Sequence, residues 1–209
     1  LSPGPALINK AHHYKKYANM WRITDDFWDD WRLLKDMFER CEIWQTHTGD
    51  GNWPDCDMLP LNVLGYGWGH GEWHTKFTED EQKTMLTLWS IFRSPLMIGT
   101  DLPRLNQFTL DLLSNDEILQ MNKSPYQSRM ISNSCHEDIV IWSNKSIDGG
   151  LFYCYFNLSD DEKECSFELM NKSENKSKIT IRDLWNHTGL DSSTNFKIKP
   201  HGNMAFMVK

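Results

Sequence analysis

An alternation of strand-like and helix-like segments in the first 124 residues is the feature that most constrains the fold. Three short apolar segments have the length of buried strands: "NMWRI", "WPDCDMLPL" and "PLMIGTDL". A helical pattern follows each of them, in "DDFWDDWRLLKDMFERCEIW", "TEDEQKTMLTLWSIFRS" and "QFTLDLLSNDEILQM". The order βαβαβα predicts a parallel sheet with right-handed crossovers, either doubly wound or closed as a barrel.

The turns after these strands favour the barrel. None contains G-x-G-x-x-G or G-x-x-x-x-G-K-[ST], so a nucleotide-binding fold is disfavoured. In both architectures the ligand binds at the C-terminal ends of the strands. Polar residues stand at those ends, namely residues 22–26, Asp55 and Asp57, and Thr100 and Asp101. We therefore expect these side chains to converge on one site.

The pattern changes near Tyr126. From there, short strand-like segments are separated by Gly, Asn, Asp and Ser turns: "DIVIWSN", "GGLFYCYFNLS", "ECSFELM", "KITIRDLW", "FKIKP" and "NMAFMVK". Regular short strands without helices are typical of an antiparallel sandwich. We predict two domains, residues 1–124 and residues 125–209.

Charge and hydropathy exclude two classes of partner. Acidic residues outnumber basic ones 29 to 22, and no dense Lys/Arg block occurs, which argues against nucleic-acid binding. No apolar run approaches the roughly 18 to 20 residues of a membrane span. A neutral ligand is favoured, and some of the ten Trp are candidates for packing against sugar rings, although any single Trp also suits the core.

The cysteines and the N-x-S/T sequons are less informative. Five Cys without a CxxC spacing fit neither a zinc ribbon nor a complete disulfide framework, so buried thiols are expected. Six sequons occur, at Asn122, Asn144, Asn157, Asn171, Asn175 and Asn186. They suit glycosylation in a secreted protein, but an Asn- and Ser-rich composition also produces them by chance.

A dense acidic and aromatic segment, "MWRITDDFWDDW", begins at the first predicted strand. It contains Arg22, three Trp and four carboxylates, Asp25, Asp26, Asp29 and Asp30. Carboxylates at neighbouring strand ends suit glycoside hydrolysis, in which one protonates the leaving oxygen and another attacks the anomeric carbon or activates water. Asp is also favoured at a solvated helix start by the helix dipole. The residues alone leave both interpretations open.

The segment "HGEWH" resembles a zinc motif only superficially. The metalloprotease pattern is H-E-x-x-H on a helix, whereas Glu72 stands between His70 and His74 on a glycine-rich loop. We therefore predict no metal site there and no cofactor.

Several segments, in order along the chain, are similar to those of one known family. "WRITDDFWDDW" resembles W-R-x-x-x-D-I-x-D-x-W, and "GNWPDCDML" resembles G-G-W-N-D-P-D-M-L. "TLWSIFRSPLMIGTDL" and "LLSNDEILQMN" match two further segments, and "RDLWNHTGL" with "KPHGNMAF" is similar to the end of a C-terminal β-domain. The family is glycoside hydrolase family 27, the melibiase or α-galactosidase family.

The resemblance implies the C-terminal portion of a (β/α)8 TIM barrel, about strands 5 to 8, followed by an antiparallel β-sandwich domain. It implies a retaining mechanism in which Asp26 is the acid/base and Arg22 binds substrate beside it. Asp57 and Met58 match positions that line the sugar pocket, and Asp55 is expected to support them. Asp29 and Asp30 would then begin the following helix.

Two departures from the family pattern matter. The family nucleophile lies in a Y-x-K-x-D segment that this sequence does not contain, so we expect the chain to be part of a longer protein and inactive alone. The segment "LSPGPA" matches the end of the fifth strand but lacks the Glu that binds the sugar 2-hydroxyl in α-galactosidases. Galactose, N-acetylgalactosamine and arabinopyranose therefore all remain candidate sugars.

The resulting prediction is a retaining glycoside hydrolase that cleaves terminal α-D-galactosides from a galactose-containing oligosaccharide or glycoconjugate. The alternative enzyme is an α-N-acetylgalactosaminidase, and the alternative of another class is a noncatalytic carbohydrate-binding protein. For the β-domain, a structural cap on the barrel is favoured over a carbohydrate-binding module. A secreted, periplasmic or lysosomal location is favoured over the cytoplasm.

Overall fold

The computed structural model describes residues 1–65, 67, 69, 71–131, 138–167, 179–191, 193 and 195–209. The first part contains two strands, a hairpin and five helices. These are α1 (Ala11–Tyr17), β1 (Met20–Arg22), α2 (Trp31–Trp44), β2 (Trp53–Asp55), the hairpin β3 (Val63–Leu64) and β4 (Trp73–His74), α3 (Glu79–Phe92), α4 (Gln107–Leu113) and α5 (Asp116–Asn122).

Strands β1 and β2 run parallel, as predicted, whereas the β3–β4 hairpin is antiparallel. In the β1–β2 pair, Arg22 lies opposite Asp55, so the two strands end side by side. The predicted strand in "PLMIGTDL" is reduced to one parallel bridge between Leu59 and Ile98. Beyond this bridge, Asn62 has a φ of +50° and the Asp101 N–H donates to the Val63 carbonyl at 3.3 Å, so the segments stay in contact without regular strand pairing. The parallel strands and their helices form the C-terminal portion of a (β/α)8 barrel.

Helix α2 has the predicted buried face but begins later than predicted. Leu34, Met37, Phe38, Cys41 and Trp44 are buried along it. Its N-cap is Asp30, whose carboxylate accepts a hydrogen bond from the backbone N–H of Arg32, so the predicted helical residues 25–29 form a loop instead.

Helix α3 has the capping box that Thr78 and Glu81 predict. The Thr78 hydroxyl accepts the backbone N–H of Glu81, and the Glu81 carboxylate accepts that of Thr78. The helix predicted over "QFTLDLLSNDEILQM" is in fact two helices. Asn115 separates them because its side-chain oxygen accepts the backbone N–H groups of Glu117 and Ile118 and so caps α5.

The second part is an antiparallel sandwich, as predicted. Eight strands are described: β5 (Arg129–Ile131), β6 (Ile139–Lys145), β7 (Leu151–Asn157), β8 (Lys163–Cys165), β9 (Ile181–Asp183), β10 (Thr188–Leu190), β11 (Phe196–Ile198) and β12 (Asn203–Val208). Six form one sheet in the order β10-β9-β12-β7-β6-β5, and β11 pairs with β8. Strands β5 and β10 were not predicted, and "ECSFELM" lies partly outside the described residues.

Both faces of the large sheet are covered. Trp142 and Phe156 on one face join the core that includes α2 and α3, while Ile141 and Tyr155 on the other face pack with Phe196 and other residues of the smaller sheet. Alternate residues of one strand therefore serve two cores. This arrangement supports the structural-cap prediction for the β-domain.

No helix in the described part of the chain is long and apolar enough to cross a membrane.

Candidate active site

Arg22, the last residue of β1, joins two carboxylates. Its Nη2 is 2.7 Å from Asp26 Oδ1, and its Nη1 is 3.0 Å from Asp57 Oδ2. The pKa of Arg22 lies above its ordinary value: burial acts to lower it, but the hydrogen bonds and charges of Asp57 and then Asp26 outweigh that effect. The structure thus brings together three of the predicted site residues.

Asp57 is fixed in place by contacts on several sides. Its Oδ2 accepts the backbone N–H of Phe27 at 2.8 Å, and its carbonyl accepts the indole N–H of Trp89 at 2.9 Å. Its φ is +74°, a left-handed conformation that non-glycine residues adopt rarely and that the surrounding contacts must stabilise. Asp57 therefore holds Arg22 and the loop after β1 in a single arrangement.

Asp55 holds the backbone of Asp57 in place through a hydrogen bond. It is buried, and its Oδ1 accepts the backbone N–H of Asp57 at 2.9 Å. Burial raises the pKa of Asp55, and the hydrogen bond from Asp57 partly opposes that rise. Because its carboxylate is occupied inside the protein, we assign Asp55 an orienting role.

Asp26 is the accessible carboxylate of this group. Its side chain is 74% exposed, whereas those of Arg22 and Asp57 are only 19% and 12% exposed. The neighbouring Asp25 is also exposed but forms no ion pair among the described residues. Asp26 is therefore the exposed carboxylate of the group that Arg22 joins.

Residues 1–6 run alongside β1. The backbone N–H of Arg22 donates to the Leu1 carbonyl, and that of Ala6 donates to the Arg22 carbonyl. Gly4, with φ +72°, lies against Asp25, since a Cβ there would be 3.3 Å from Asp25 Oδ1. The segment "LSPGPA" thus borders the site, as its match to a strand end implies.

A cavity of about 430 Å³ is lined by residues that lie next in sequence to the carboxylates and by the segment after Ile98. Its walls include Trp28, Met58, Val63, Gly99, Thr100 and Asp101. Asp26 does not line the cavity, but Trp28 follows it by two residues and Met58 follows Asp57 directly. The arrangement combines an exposed carboxylate, a fixed guanidinium and a largely apolar cavity, which together suit acid/base chemistry on a small organic ligand.

Asp29 has a role that sequence reasoning missed. It was expected to begin α2, but it lies outside the helix, and its buried Oδ2 accepts hydrogen bonds from the indole N–H of Trp73 at 3.0 Å and the backbone N–H of Lys76 at 2.8 Å. The density of Asp in this segment was the only sequence signal, and it did not distinguish Asp29 from its neighbours.

The "HGEWH" segment is described only in part. His70 lies outside the described residues, and Glu72 forms an ion pair with Arg104 at 2.8 Å that lowers the pKa of Glu72. Within the described part of the chain, no group of three or more His, Cys, Asp or Glu side chains could hold a metal ion.

The four described cysteines are buried, as expected. Cys41 Sγ lies 3.6 Å from Cys56 Sγ. Burial first, and then the Cys56 contact, raise the pKa of Cys41, so this thiol is not an activated nucleophile. Cys135 lies outside the described residues.

Two sequons are inaccessible in the fold. Asn144 and Asn157 are buried, and the Asn157 amide donates to three backbone carbonyls. Asn186 is exposed, whereas Asn171 and Asn175 lie outside the described residues. Glycosylation of Asn144 or Asn157 is therefore incompatible with this fold.

Comparison with known proteins shows the family of the chain. A melibiase profile described as alpha galactosidase A matches residues 6–124, and a second, described as the alpha galactosidase C-terminal beta sandwich domain, matches residues 136–208. Among solved structures, a family 27 β-L-arabinopyranosidase from Geobacillus stearothermophilus is 39% identical with a TM-score of 0.89, and the match covers 100% of this chain and 49% of that one.

Curated relatives include α-galactosidase 3 from Arabidopsis thaliana, 28% identical over 188 residues, which are 86% of this chain and 40% of the relative. An α-N-acetylgalactosaminidase from Rattus norvegicus is 27% identical over 149 residues, or 68% of this chain and 33% of the relative. The chain thus spans half or less of the length of these relatives.

Proposed function

Because the chain belongs to the melibiase (α-galactosidase A) family, we propose that it is part of a retaining glycoside hydrolase and supplies the acid/base residue of that enzyme. The substrates are terminal α-D-galactosides of oligosaccharides or glycoconjugates. The observation that carries the proposal is the arrangement of Arg22 between the exposed Asp26 and the buried Asp57.

In the proposed reaction, protonated Asp26 donates to the glycosidic oxygen as the bond to the anomeric carbon breaks. A second carboxylate attacks the anomeric carbon, and Asp26 then takes a proton from the water that releases the sugar. Arg22 orients Asp26 and donates hydrogen bonds to the substrate.

The carboxylate that attacks the anomeric carbon is neither Asp55 nor Asp57. The Asp57 carboxylate is engaged by Arg22 and Phe27, and that of Asp55 is buried against the Asp57 backbone. Neither is free to form a bond to the sugar. The proposal therefore concerns the whole protein, with the nucleophile in the remainder of the barrel.

A second candidate substrate is a β-L-arabinopyranoside. This sugar has the ring configuration of an α-D-galactoside but lacks the exocyclic hydroxymethyl group. The observation that favours it is the 39% identity to the β-L-arabinopyranosidase, compared with 28% to the Arabidopsis α-galactosidase. An α-N-acetylgalactosaminide is the third sugar to test.

The test is an assay of the complete reading frame on the nitrophenyl and the methyl glycosides of all three sugars. The nitrophenyl glycosides show which sugar is accepted, and the methyl glycosides have a leaving group that requires protonation. Asp26→Asn is expected to lower kcat by about 10²- to 10⁴-fold on substrates with poor leaving groups, the usual contribution of a general acid. Asp25→Asn, also exposed but unpaired, is the matched control and should retain activity. Equal activity of the wild type and Asp26→Asn would remove the assignment.

The noncatalytic alternative makes a different prediction. If the complete protein binds these sugars but hydrolyses none of them, it is a carbohydrate-binding protein that has kept the family fold.

A further inference from the structure

The loop after β1 is tied to the β3–β4 hairpin through Asp29. Only 4% of Asp29 is exposed, and its Oδ2 accepts both the indole N–H of Trp73 and the backbone N–H of Lys76. No ion pair of Asp29 occurs among the described residues. A buried carboxylate without a counter-ion depends on such hydrogen bonds, so the position of Trp73 is closely coupled to that of Asp29.

Trp73 is also confined on its other side. Gly65, with φ +81°, lies directly beneath the indole, because a Cβ there would be 2.5 Å from Trp73 Cζ3. Only glycine permits this approach. The indole of Trp73 is thus held at its N–H edge by Asp29 and at its six-membered ring by the backbone of the hairpin.

Trp73 in turn contacts Trp28, which lines the cavity. The two ring centroids are 5.5 Å apart with planes inclined at 44°, a favourable aromatic pair. Met58, another wall residue, rests on Gly99, where a Cβ would be only 2.5 Å from its sulfur. Trp28 and Met58 therefore give this cavity an aromatic ring and a thioether in defined positions beside Asp57.

We propose that Trp28 packs against the apolar C–H face of the pyranose ring of the substrate, and that Asp29 is a positioning residue that holds Trp28 through Trp73. The inference rests on the proposed function and adds a specificity residue to it. A cavity of about 430 Å³ accommodates one sugar ring, and an indole presents a flat apolar surface to it.

The indole of Trp28 contacts the pyranose ring equally in the bound substrate and in the transition state. Loss of this contact therefore raises KM and leaves kcat nearly unchanged. In the complete protein, Trp73→Phe retains a ring but removes the N–H that Asp29 accepts. We expect KM to rise about tenfold, the order of one lost aromatic contact. Trp28→Ala should raise KM at least as much, and Asp29→Ala should resemble Trp73→Phe.

Asp30→Ala is the matched control. Asp30 caps α2 and pairs with the exposed Arg32, so its loss lowers the Tm without moving the cavity wall. If Trp73→Phe and Asp29→Ala lower the Tm in the same way but leave KM unchanged, Asp29 is only a structural anchor and the inference is overturned.

A binding measurement separates this inference from the proposed function. Galactose and arabinose are titrated into the complete protein and its variants by calorimetry. If the wild type binds sugar but does not hydrolyse the glycosides, the proposed function fails. A Kd that rises about tenfold in Trp73→Phe and stays unchanged in Asp30→Ala would still support the positioning role of Asp29. If the wild type neither binds nor hydrolyses these sugars, both proposals are overturned.

Discussion

Replacing Asp57 with asparagine removes the charge that faces Arg22 and leaves the shape of the side chain nearly unchanged. Asp57 Oδ2 lies 3.0 Å from Arg22 Nη1 and 2.8 Å from the backbone N of Phe27. Asparagine tolerates the left-handed φ of +74° at this position. The variant therefore tests the ion pair itself rather than the backbone conformation.

The expected cost follows from burial. The side chains of Arg22 and Asp57 are 19% and 12% exposed, and removing one partner of a buried ion pair costs about 3–5 kcal/mol. Arg22 keeps Asp26, and the asparagine oxygen can still accept the Phe27 N–H, so we expect Asp57→Asn to lose about 2 kcal/mol. Asp57→Ala also loses the acceptor and places alanine at a strained φ, so about 4 kcal/mol is expected.

Urea unfolding of the complete protein measures both variants, with Asp25→Asn as the exposed, unpaired control that should change stability by less than about 0.5 kcal/mol. An unfolding free energy of Asp57→Asn equal to that of the wild type would refute the reasoning. So would an Asp57→Ala variant that is no less stable than Asp57→Asn.

Two further predictions concern the domain junction and the cavity wall. The hydrogen bonds from Arg182 lower the pKa of Glu117, burial opposes them, and a bond from His187 adds to them. Glu117 therefore stabilises the fold above its unfolded pKa of about 4.3, and this contribution is lost as pH falls through the lower folded pKa. The stability difference between wild type and Glu117→Gln in urea should shrink from pH 7 to pH 3, and a constant difference would contradict this. Gly99→Ala should push Met58 into the cavity and raise KM. Adding Met58→Ala to that variant should bring KM part of the way back to the wild-type value. An unchanged KM in Gly99→Ala would count against this cavity as the sugar site.

The parts of the site that sequence reasoning found are local. Arg22 and Asp26 stand four residues apart at a strand end, and their pairing needs only the turn after β1. The roles of Arg22 and Asp26, like those of Asp57 and Met58, were identified through the family resemblance. The structure places Asp57 beside Arg22 and Met58 in the wall of the cavity. Their roles in binding remain predictions.

What the sequence missed depends on contacts between distant segments. Asp29 and Trp73 are 44 residues apart, and nothing in either local pattern relates one to the other. The predicted third strand failed for a similar reason. Its apolar composition suits a strand, but regular pairing requires an extended partner, and the left-handed φ of Asn62 interrupts the partner segment after the single Leu59–Ile98 bridge.

By itself, the sequence determined the alternation of strands and helices and the position of one helix start, because hydrophobic period and capping act within a few residues. The alternation of strands and helices, the change to short strands near residue 126 and the Thr78 capping box all follow from such local forces. The tertiary structure alone decided which carboxylate is exposed, which is buried and which holds a loop. Four similar aspartates of one short segment differ only in the residues that folding brings against them, and burial and hydrogen bonding by those residues set their chemistry.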